Sequence, residues 1–445
     1  MKLYIETLGC PKNFNDSEGA AGIWEKAGME VTDRLEDADV IMVNTCGFIN
    51  DAKKESIDTI FDMIRFADEE GACGRRPLLA VSGCLSQRYS DELAEEMPEV
   101  DLFLGVNEYE RLPELVRKLR DGEGERVVKG ACPEYFPEFS ARKLEEGAYS
   151  STLRIAEGCN NRCAYCVIPS IRGSYRSRSM ENITAEAEKM AAAGVKEIIL
   201  IAQDVTEYGR DLYGELKLPE LLRRLCRIEG IRWIRLMYCY EDKISDELIE
   251  VMAEEEKICN YIDIPLQHIS DNVLRGMHRR STSKSIRETI GRLRKAMPDI
   301  HIRTTFITGF PGETEEDFEE LADFAEEARF ERLGVFAYSR EEGTEAGERE
   351  DQIDEEVKAE RADCIMRLQL DISREVNEEK VGSIMEVLVE SVDEDGCYVG
   401  RTVYDAPEID GTVIFTGRRG NLKPGDFTRV KITDAFDYDL TGEEI

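Results

Sequence analysis

The sequence predicts an α/β protein built from an amino-terminal doubly wound parallel sheet, a central partial (β/α)6 barrel and a small carboxyl-terminal β-barrel. Three observations predict this fold class. Three apolar strands in the first 110 residues each end in a cysteine, and six apolar runs between residues 152 and 340 alternate with segments of helical period. After residue 382, short strands are separated by glycine-bearing turns.

The length of the chain supports this division. A chain of 445 residues is too long for one ordinary core, so we expect several domains. We expect the first domain at 1–125 and a linker at 126–148. The barrel follows at 149–378 and the last domain at 379–445.

The chain is strongly acidic. With 94 acidic and 58 basic residues it carries a formal charge of -36, which is a poor match to a phosphate backbone and favours a basic partner. The acidity is equally compatible with a role in solubility or with a salty host cytoplasm, because net charge bears on association and not on fold. No run of membrane-spanning length is visible, so we expect a soluble, cytoplasmic protein.

The first domain contains the same sequence pattern three times, an apolar strand followed by a cysteine. The runs "KLYIETLGC", "DVIMVNTC" and "PLLAVSGC" deliver Cys10, Cys46 and Cys84 at strand ends. Ligands bind outside the carboxyl ends of the strands in open parallel sheets, so these cysteines are expected to converge. The alternative is that these three thiols are unrelated to one another. Cys73 and Cys132 do not follow the pattern, and we interpret them as unrelated to the site. Our hypothesis is an iron-sulfur cluster with one open iron.

A second cysteine group opens the barrel. The stretch "EGCNNRCAYC" places Cys159, Cys163 and Cys166 at gaps of three and two residues. Structural zinc requires four ligands, and all three histidines of the chain lie at least a hundred residues away. Thiolates at such spacings hold iron-sulfur clusters, and three of them leave one iron of a four-iron cluster free to chelate a cofactor.

Polar residues close the barrel strands and are candidates for cofactor binding. An arginine such as Arg303 suits a carboxylate, and Gln203 or Asp204 suits ribose hydroxyls. Gly309 and Gly312, in "GFPGET", allow close backbone approach to a ligand. The full candidate set is Tyr165, Gln203, Asp204, Tyr238, Gln267, His268, Arg303 and Thr305.

Two further segments complete the chain. Residues 345–380 are charged and helical in pattern, which predicts a solvated linking helix. Residues 382–445 hold 14 acidic and 6 basic residues, a net charge of -8, although RNA binding would call for a basic face. A basic protein is therefore the better partner for this domain.

The whole chain resembles the radical S-adenosylmethionine methylthiotransferases, which consist of a methylthiotransferase domain, a radical domain and a TRAM domain. The cysteine triplet with Tyr165 before its third cysteine carries the resemblance. Within the family, "LGCPKNFNDSE" at 8–18 is similar to the branch that modifies protein twelve of the small ribosomal subunit. The transfer RNA branch usually reads Gly-Cys-Gln-Met-Asn there. The sequence departs from the family at Asn15, where an apolar residue is expected, and at Glu241, where proline is expected.

The resemblance implies a mechanism. Two 4Fe-4S clusters, on Cys10/Cys46/Cys84 and on Cys159/Cys163/Cys166, would use two molecules of S-adenosylmethionine. One would methylate a sulfur held at the first cluster, and the other would yield a radical that removes hydrogen from the β-carbon of a substrate aspartate. The implied partners are the basic ribosomal protein, an electron donor such as flavodoxin or ferredoxin, and a sulfur donor; we expect a monomer and no membrane.

Three other functions share parts of this pattern. A transfer RNA adenosine methylthiotransferase would have the same cluster ligands but differ in TRAM charge and in the residues after Cys10. A non-catalytic iron-sulfur carrier would lack cofactor binding. A different radical enzyme would use the amino-terminal cysteines only structurally.

Overall fold

The computed structural model describes residues 1–136, 141–418 and 420–445. This part of the chain divides into two compact units. The first comprises residues 1–146, 156–162 and 166–178, and the second comprises residues 147–155, 163–165 and 179–445. Among the described residues, no helix has the length and apolar character needed to cross a membrane.

The first unit is built on a parallel sheet with helices on both faces. Within its described residues six strands pair in the order β2-β1-β3-β4-β5-β6, which confirms the doubly wound sheet. The elements are β1 (Lys2–Thr7), α1 (Pro11–Lys26), β2 (Glu30–Val31), β3 (Val40–Thr45), α2 (Asn50–Ala72), β4 (Leu78–Ser82), α3 (Gly83–Glu96), β5 (Leu102–Leu104), α4 (Leu112–Arg120) and β6 (Val127–Val128). Strand β6 lies inside the predicted linker 126–148, of which 137–140 are outside the described residues.

Strand β3 shows why this sheet is buried on both faces. Val40 and Met42 belong to the apolar cluster with α1 and α4, whereas Ile41 and Val43 belong to the cluster with α2 and α3. Successive side chains of a strand point to opposite faces, so a strand covered by helices on both sides must be apolar throughout. The first four residues of β3, "VIMV", meet that requirement. Asn44 and Thr45 end the strand and are also buried, and their side chains donate to the carbonyl oxygens of Asn13 and Ser82.

The chain passes between the units around the cysteine triplet. Strand β7 (Ser150–Arg154) belongs to the second unit. The short strands β8 (Ala156–Glu157) and β9 (Arg176–Ser177) form an antiparallel pair in the first unit, with α5 (Ile168–Arg172) between them. The segment after the triplet therefore packs with the amino-terminal sheet.

The second unit contains the predicted open barrel. Its described strands run parallel in the order β14-β13-β12-β11-β10-β7, as expected for a partial (β/α)6 barrel. The elements are α6 (Met180–Ala192), β10 (Glu197–Ile201), α7 (Arg210–Tyr213), α8 (Leu218–Cys226), β11 (Trp233–Leu236), α9 (Asp246–Glu254), β12 (Ile258–Gln267), α10 (Asp271–Gly276), α11 (Ser283–Ala296), β13 (His301–Thr308), α12 (Glu315–Ala328), β14 (Arg332–Ala337) and α13 (Glu345–Glu348).

Helix α12 begins where its sequence signals a start. The Thr314 side chain accepts from the backbone N–H of Asp317, and the Asp317 carboxylate accepts from the N–H of Thr314, which is a capping box. This arrangement satisfies two of the donors that every helix start leaves unpaired.

The prediction of a solvated linking helix is wrong. Helix α14 (Glu355–Glu378) packs against α12 and β14, and Ile365, Ile372 and the charged Lys358 and Arg361 are buried. Arg361 pairs with Glu313 at 2.7 Å. A helix whose buried face carries long charged side chains shows a polar pattern in sequence, because such side chains bury their methylene stems while their charges pair.

The carboxyl-terminal segment forms a closed barrel, as predicted. Its strands are β15 (Ile384–Val392), β16 (Tyr398–Thr402), β17 (Val413–Thr416), β18 (Phe427–Ala435) and β19 (Leu440–Glu444). Across the described residues they close in the order β15-β16-β17-β19-β18. A core that includes Val387, Val413 and Ile432 fills the interior. Closure leaves no free sheet edge.

Buried ion pairs join this small barrel to the parallel barrel within the second unit. Glu197, at the start of β10, is fully buried and accepts from Arg235 at 2.9 Å and from two nitrogens of Arg401. Arg401 also donates to Glu390 at 2.7 Å. Arg332 pairs with Asp405 at 2.6 Å. We call Glu197, Arg235, Arg401, Arg332 and Asp405 the buried ion-pair network.

The buried ion-pair network predicts an acid-sensitive contribution to stability. Burial alone would raise the pKa of Glu197, but Arg401 and Arg235 outweigh burial and lower this pKa from 4.5 to about 2. A lowered pKa stabilises the folded state above pH 4.5, and this stabilisation is lost as the pH falls towards 2. The contribution is about 3 kcal/mol at neutral pH. Glu197→Gln should therefore lower the free energy of unfolding most at pH 7, and the difference from wild type should shrink below pH 4.5.

Urea unfolding followed by tryptophan fluorescence measures this effect. The chain has two tryptophans, Trp24 and Trp233, so a Trp24→Phe background makes Trp233 report on the second unit alone. Glu220→Gln, which removes a surface carboxylate paired with Arg224, is the matched control and should change little at any pH. A Glu197→Gln difference that stays constant from pH 7 to pH 3 would contradict the assignment.

Candidate functional site

Three thiols lie at the carboxyl edge of the first sheet. Cys10 is the residue before α1, Cys46 directly follows β3, and Cys84 is the second residue of α3 after β4. Strands β1, β3 and β4 are adjacent and parallel, so their following loops share one edge. Cys46 and Cys84 are buried and Cys10 is half-buried.

Glycines permit these loops to approach each other. Gly9 has a φ of 92°, and a Cβ placed on it would lie 2.8 Å from the Cβ of Cys46. Gly83 also has a φ of 92°, and its Cβ would lie 2.3 Å from the carbonyl oxygen of Thr45. A side chain at either position would clash and would also adopt an unfavourable backbone conformation. The glycine beside Cys10 and the one beside Cys84 are therefore required for the cysteines to meet.

Asn13 fastens two of the loops together. It is fully buried, and its Nδ2 donates to the carbonyl oxygens of Leu8 at 2.8 Å and Thr45 at 3.0 Å. Asn44 in turn donates to the carbonyl oxygen of Asn13 at 2.8 Å. The loop after β1 is thus fixed to the loop after β3. Sequence reasoning missed Asn13 as a separate functional residue, although it belongs to the quoted run "GCPKN".

Two of the thiols at this edge, Cys46 and Cys84, have raised pKa values, so they keep their protons until a metal displaces them. Burial raises the pKa of the Cys46 thiol to about 12, and the neighbouring Cys84 and Cys10 contribute in the same direction. Burial also raises the pKa of Cys84, against which Arg172 acts. Thiols that lie this close in a buried site are typical metal ligands, because metal binding replaces the protons. The three cysteines therefore fit an iron-sulfur cluster.

The described residues contain no group of three or more His, Cys, Asp or Glu side chains that is arranged to hold a metal ion. Both cysteine sets therefore stay predicted ligand sets.

The three cysteines of the radical-type triplet have different surroundings within their own units. Cys159 and Cys166 belong to the first unit, where the Cys159 N–H donates to the Gly173 carbonyl at 3.1 Å. Cys163 belongs to the second unit, and its Sγ lies 3.8 Å from the Tyr240 hydroxyl. Cys159 and Cys163 are buried, and Cys166 is half-buried. Tyr165 packs beside Ala164 and Phe310.

The candidates after β10 and β12 make hydrogen bonds and ion pairs with other residues of the chain. The Asp204 carboxylate pairs with Lys243 and accepts from Thr206 Oγ1 at 2.6 Å. Gln203 is half-buried beside it. His268 is fully buried; its Nδ1 accepts from the Ser270 N–H at 3.0 Å and its Nε2 lies 3.5 Å from Glu313. Their predicted contacts with a cofactor stay predictions.

Two of the remaining candidates, Arg303 and Tyr238, also contact carboxylates of the chain itself. Arg303 pairs with Asp263 at 3.1 Å and Asp410 at 3.5 Å, so carboxylates of the chain itself occupy its guanidinium. The Tyr238 N–H donates to Asp263 at 2.9 Å, and Thr305 is half-buried on β13.

Gln267 shares one feature with His268, whose Nε2 is also buried without a hydrogen-bond partner among the described residues. The backbone of Gln267 has a φ of 71°, and its Oε1 is buried without a hydrogen-bond partner in the described part of the chain. A buried acceptor without a partner is costly and indicates an absent donor.

The "GFPGET" glycines are surrounded by other parts of the chain. A Cβ on Gly309 would lie 2.2 Å from Lys358 Cγ, and one on Gly312 would lie 2.6 Å from a nitrogen of Arg349. Their predicted approach to a ligand stays a prediction. The Glu313 carboxylate in the same loop accepts from the Gly309 N–H at 2.9 Å.

An arginine that sequence reasoning missed lies beside the triplet. The Arg279 side chain is 2% exposed, its Nη2 donates to Glu241 at 2.9 Å, and its guanidinium stacks 4.3 Å from the Tyr240 ring centroid. Its charge interacts with Tyr165 and Cys163, and its Nη1 is buried without a hydrogen-bond partner in the described chain. This unused donor and Gln267 Oε1 both fit a polar cofactor.

The ion pair between Arg279 and Glu241 explains why the sequence departs from the family at Glu241. Where the family resemblance leads us to expect proline, this chain has a buried carboxylate that neutralises Arg279 and accepts from Ser281. Its backbone N–H is at the first position of a short 3-10 helix, Glu241–Lys243, where proline is tolerated.

Glu241→Pro should therefore act through the lost carboxylate and not through the backbone. Removing one partner of a buried ion pair leaves an uncompensated charge, which costs about 3–5 kcal/mol of unfolding free energy. Thermal and urea unfolding measure this loss, with Asp242→Asn, an exposed neighbour, as the control. Glu241→Leu combined with Arg279→Leu should recover most of the loss, and a double variant as unstable as the single one would contradict the pairing.

Comparison with family profiles covers most of the chain. Residues 2–105 match the uncharacterized protein family UPF0004, residues 153–325 match the radical SAM superfamily, and residues 381–445 match the TRAM domain. The matched ranges follow the three regions predicted from sequence.

Curated relatives match over the full length. A ribosomal protein uS12 methylthiotransferase RimO of Desulforamulus reducens is 49% identical over 439 residues, covering 98% of both chains. Those of Pelotomaculum thermopropionicum and Clostridioides difficile are 50% and 47% identical, over 100% of this chain and 99% and 98% of theirs.

Solved structures share the fold at low identity. The radical S-adenosylmethionine methyltransferase TsrM of Kitasatospora setae, with cobalamin and a 4Fe-4S cluster bound, aligns with a TM-score of 0.59 at 15% identity, over 78% of this chain and 73% of that one. The cobalamin-dependent radical enzyme OxsB aligns with a TM-score of 0.51, over 83% and 56%.

Proposed function

Because this chain belongs to the RimO family of radical S-adenosylmethionine methylthiotransferases, we propose that it adds a methylthio group to the β-carbon of an aspartate in ribosomal protein uS12. The observation that carries the proposal is the full-length match to uS12 enzymes, together with three thiols at the carboxyl edge of the first sheet. The cofactors are iron-sulfur and S-adenosylmethionine.

We assign two cluster sites to this chain. Cys10, Cys46 and Cys84 would hold one 4Fe-4S cluster, and Cys159, Cys163 and Cys166 the other. When bound, the clusters would supply sulfur for transfer and the electron that cleaves S-adenosylmethionine, and such radical chemistry belongs to the cofactor. A radical is required because no side-chain base deprotonates an unactivated C–H bond at neutral pH.

The remaining residues bind and orient. The free Nη1 of Arg279 suits the carboxylate of S-adenosylmethionine, and Gln267 Oε1 suits a ribose hydroxyl or an amino group. Direct contacts with the cofactor by Tyr165, Gln203, Asp204, Tyr238, His268, Arg303 and Thr305 remain part of the proposal.

Charge supports a protein substrate over transfer RNA. The carboxyl-terminal barrel carries 14 acidic and 6 basic residues, and a polyanionic substrate would be repelled by it. Opposite charge instead steers a basic ribosomal protein towards the enzyme. The cytoplasm, where ribosomal proteins are made, is the expected location. The enzyme would act as a monomer with a separate electron donor, such as flavodoxin or ferredoxin, and a sulfur donor.

Mass spectrometry of substrates tests the proposal directly. Anaerobically reconstituted enzyme would be reduced and given S-adenosylmethionine, sulfide and uS12, with transfer RNA in a parallel reaction. A methylthio addition on an aspartate is the expected result. Addition only to a nucleoside would support the transfer RNA alternative, and failure to bind S-adenosylmethionine would support an iron-sulfur carrier.

Cysteine variants separate the two cluster sites. Cys84→Ala should still cleave S-adenosylmethionine to 5′-deoxyadenosine but form no methylthio product, because only the sulfur-holding site is lost. Cys163→Ala should lose both products. Cys73→Ala, which removes an exposed thiol at the end of α2, should match wild type. Methylthio product from Cys84→Ala at the wild-type rate would refute the cluster site at Cys10, Cys46 and Cys84.

Charge reversal on the small barrel tests substrate steering. Glu394 and Asp395 are exposed in the turn between β15 and β16. Glu394→Lys with Asp395→Lys should weaken uS12 binding roughly tenfold at low salt and less at high salt, because screening already removes the attraction there. Asp58→Lys with Glu69→Lys, which makes the same charge change on exposed positions of α2, is the control. Equal effects of both pairs would mean that only net charge matters.

A further inference from the structure

Arg172 is a buried arginine at the amino-terminal thiol edge. It ends α5, six residues after Cys166, in the part of the chain that packs in the first unit. Its side chain is 3% exposed. A guanidinium buried this deeply requires acceptors for its donors and counter-charges for its charge.

The partners of Arg172 come from the carboxyl edge and from β8. Nη1 donates to Asp16 Oδ2 at 2.7 Å, and Glu157 lies 3.6 Å away. Nη2 donates to Asn13 Oδ1 at 3.1 Å and to Cys84 Sγ at 3.4 Å. One nitrogen thus contacts both the asparagine that fastens the loops and one of the three thiols.

The surroundings of Arg172 include two carboxylates that are almost fully buried. Asp16 and Glu157 have side chains that are 1% and 2% exposed. The guanidinium adds positive charge beside Cys84, whereas Asp16 adds negative charge there.

We propose that Arg172 is a positioning residue for the cluster at Cys10, Cys46 and Cys84, and that its hydrogen bond to Cys84 Sγ makes this cluster easier to reduce. The inference rests on the proposed function, because it requires that cluster. The potentials of iron-sulfur clusters depend on net charge and on hydrogen bonds to their sulfurs. Reduction adds negative charge, so a cation that donates to a ligand sulfur favours the reduced form.

The test uses the full chain with one cluster site removed. A background of Cys159→Ala, Cys163→Ala and Cys166→Ala leaves only the amino-terminal site for reconstitution. Iron and sulfide analysis first establishes that the cluster forms. Redox titration followed by electron paramagnetic resonance then gives its reduction potential, and this readout needs neither substrate nor activity.

Arg172→Met removes the charge and the donor at similar length. At the potential where the parent cluster is half reduced, the ratio of reduced to oxidised cluster should fall about tenfold, equivalent to about 59 mV for one electron. Arg172→Lys, which keeps the charge, should show a smaller fall. Arg142→Met removes another largely buried arginine paired with α1, through Glu18 at 2.6 Å, and should leave the ratio unchanged.

A second variant covers the case in which Arg172→Met does not fold. Arg172→Met with Asp16→Asn removes one charge of each sign, so the net charge is preserved while the donor to Cys84 is lost. This double variant should also favour the oxidised cluster.

An unchanged ratio in an arginine variant that holds a full cluster would overturn the role of Arg172 but leave the proposed function standing. Absence of iron from the parent background would overturn both.

Discussion

Both candidate sites depend on one constraint, which is that all strands of a parallel sheet end at the same edge. Residues far apart in sequence then meet without any long-range signal, because each loop only has to leave its strand and enter the next helix. In the first sheet this brings the loops of Cys10, Cys46 and Cys84 to one place. This constraint determines that the three loops lie at one edge of the sheet, but it does not determine the distances between them. Gly9, Gly83 and Asn13 supply those, two by permitting close approach and one by holding the loops.

Buried guanidinium groups then fix the elements around these edges. Arg172 links the segment after the triplet to α1, Arg279 links β12 and the loop after β11, and Arg401 links the small barrel to β10. In each case a rigid fork of donors meets a carboxylate from a distant segment. Such pairs add little stability over apolar packing, but they specify one arrangement, since a misplaced charge would be left unpaired. The three arginines therefore contribute more to geometry than to stability.

The sequence predicted the strands, their order of appearance and the closed small barrel, because buried strands and glycine turns leave local signals. It predicted the cysteine sets for the same reason, since each cysteine follows a recognisable strand or lies in a compact motif. It did not predict Arg172, whose partner Asp16 lies 156 residues away, because ion pairing at that separation has no periodicity. The solvated assignment of α14 failed similarly, since Lys358 and Arg361 are charged yet buried.

The acidity of the chain can now be divided between interior and surface. Glu197, Asp405 and Glu241 are buried, and each is matched by an arginine, so the interior contributes little to the formal charge of -36. The excess therefore lies mainly on the surface, where its field reaches about 8–10 Å into physiological salt. A field of that range accelerates the encounter with a basic protein but cannot select one carbon atom of it. Selection of one carbon atom requires short-range contacts instead, because only groups within contact distance distinguish neighbouring atoms of a substrate.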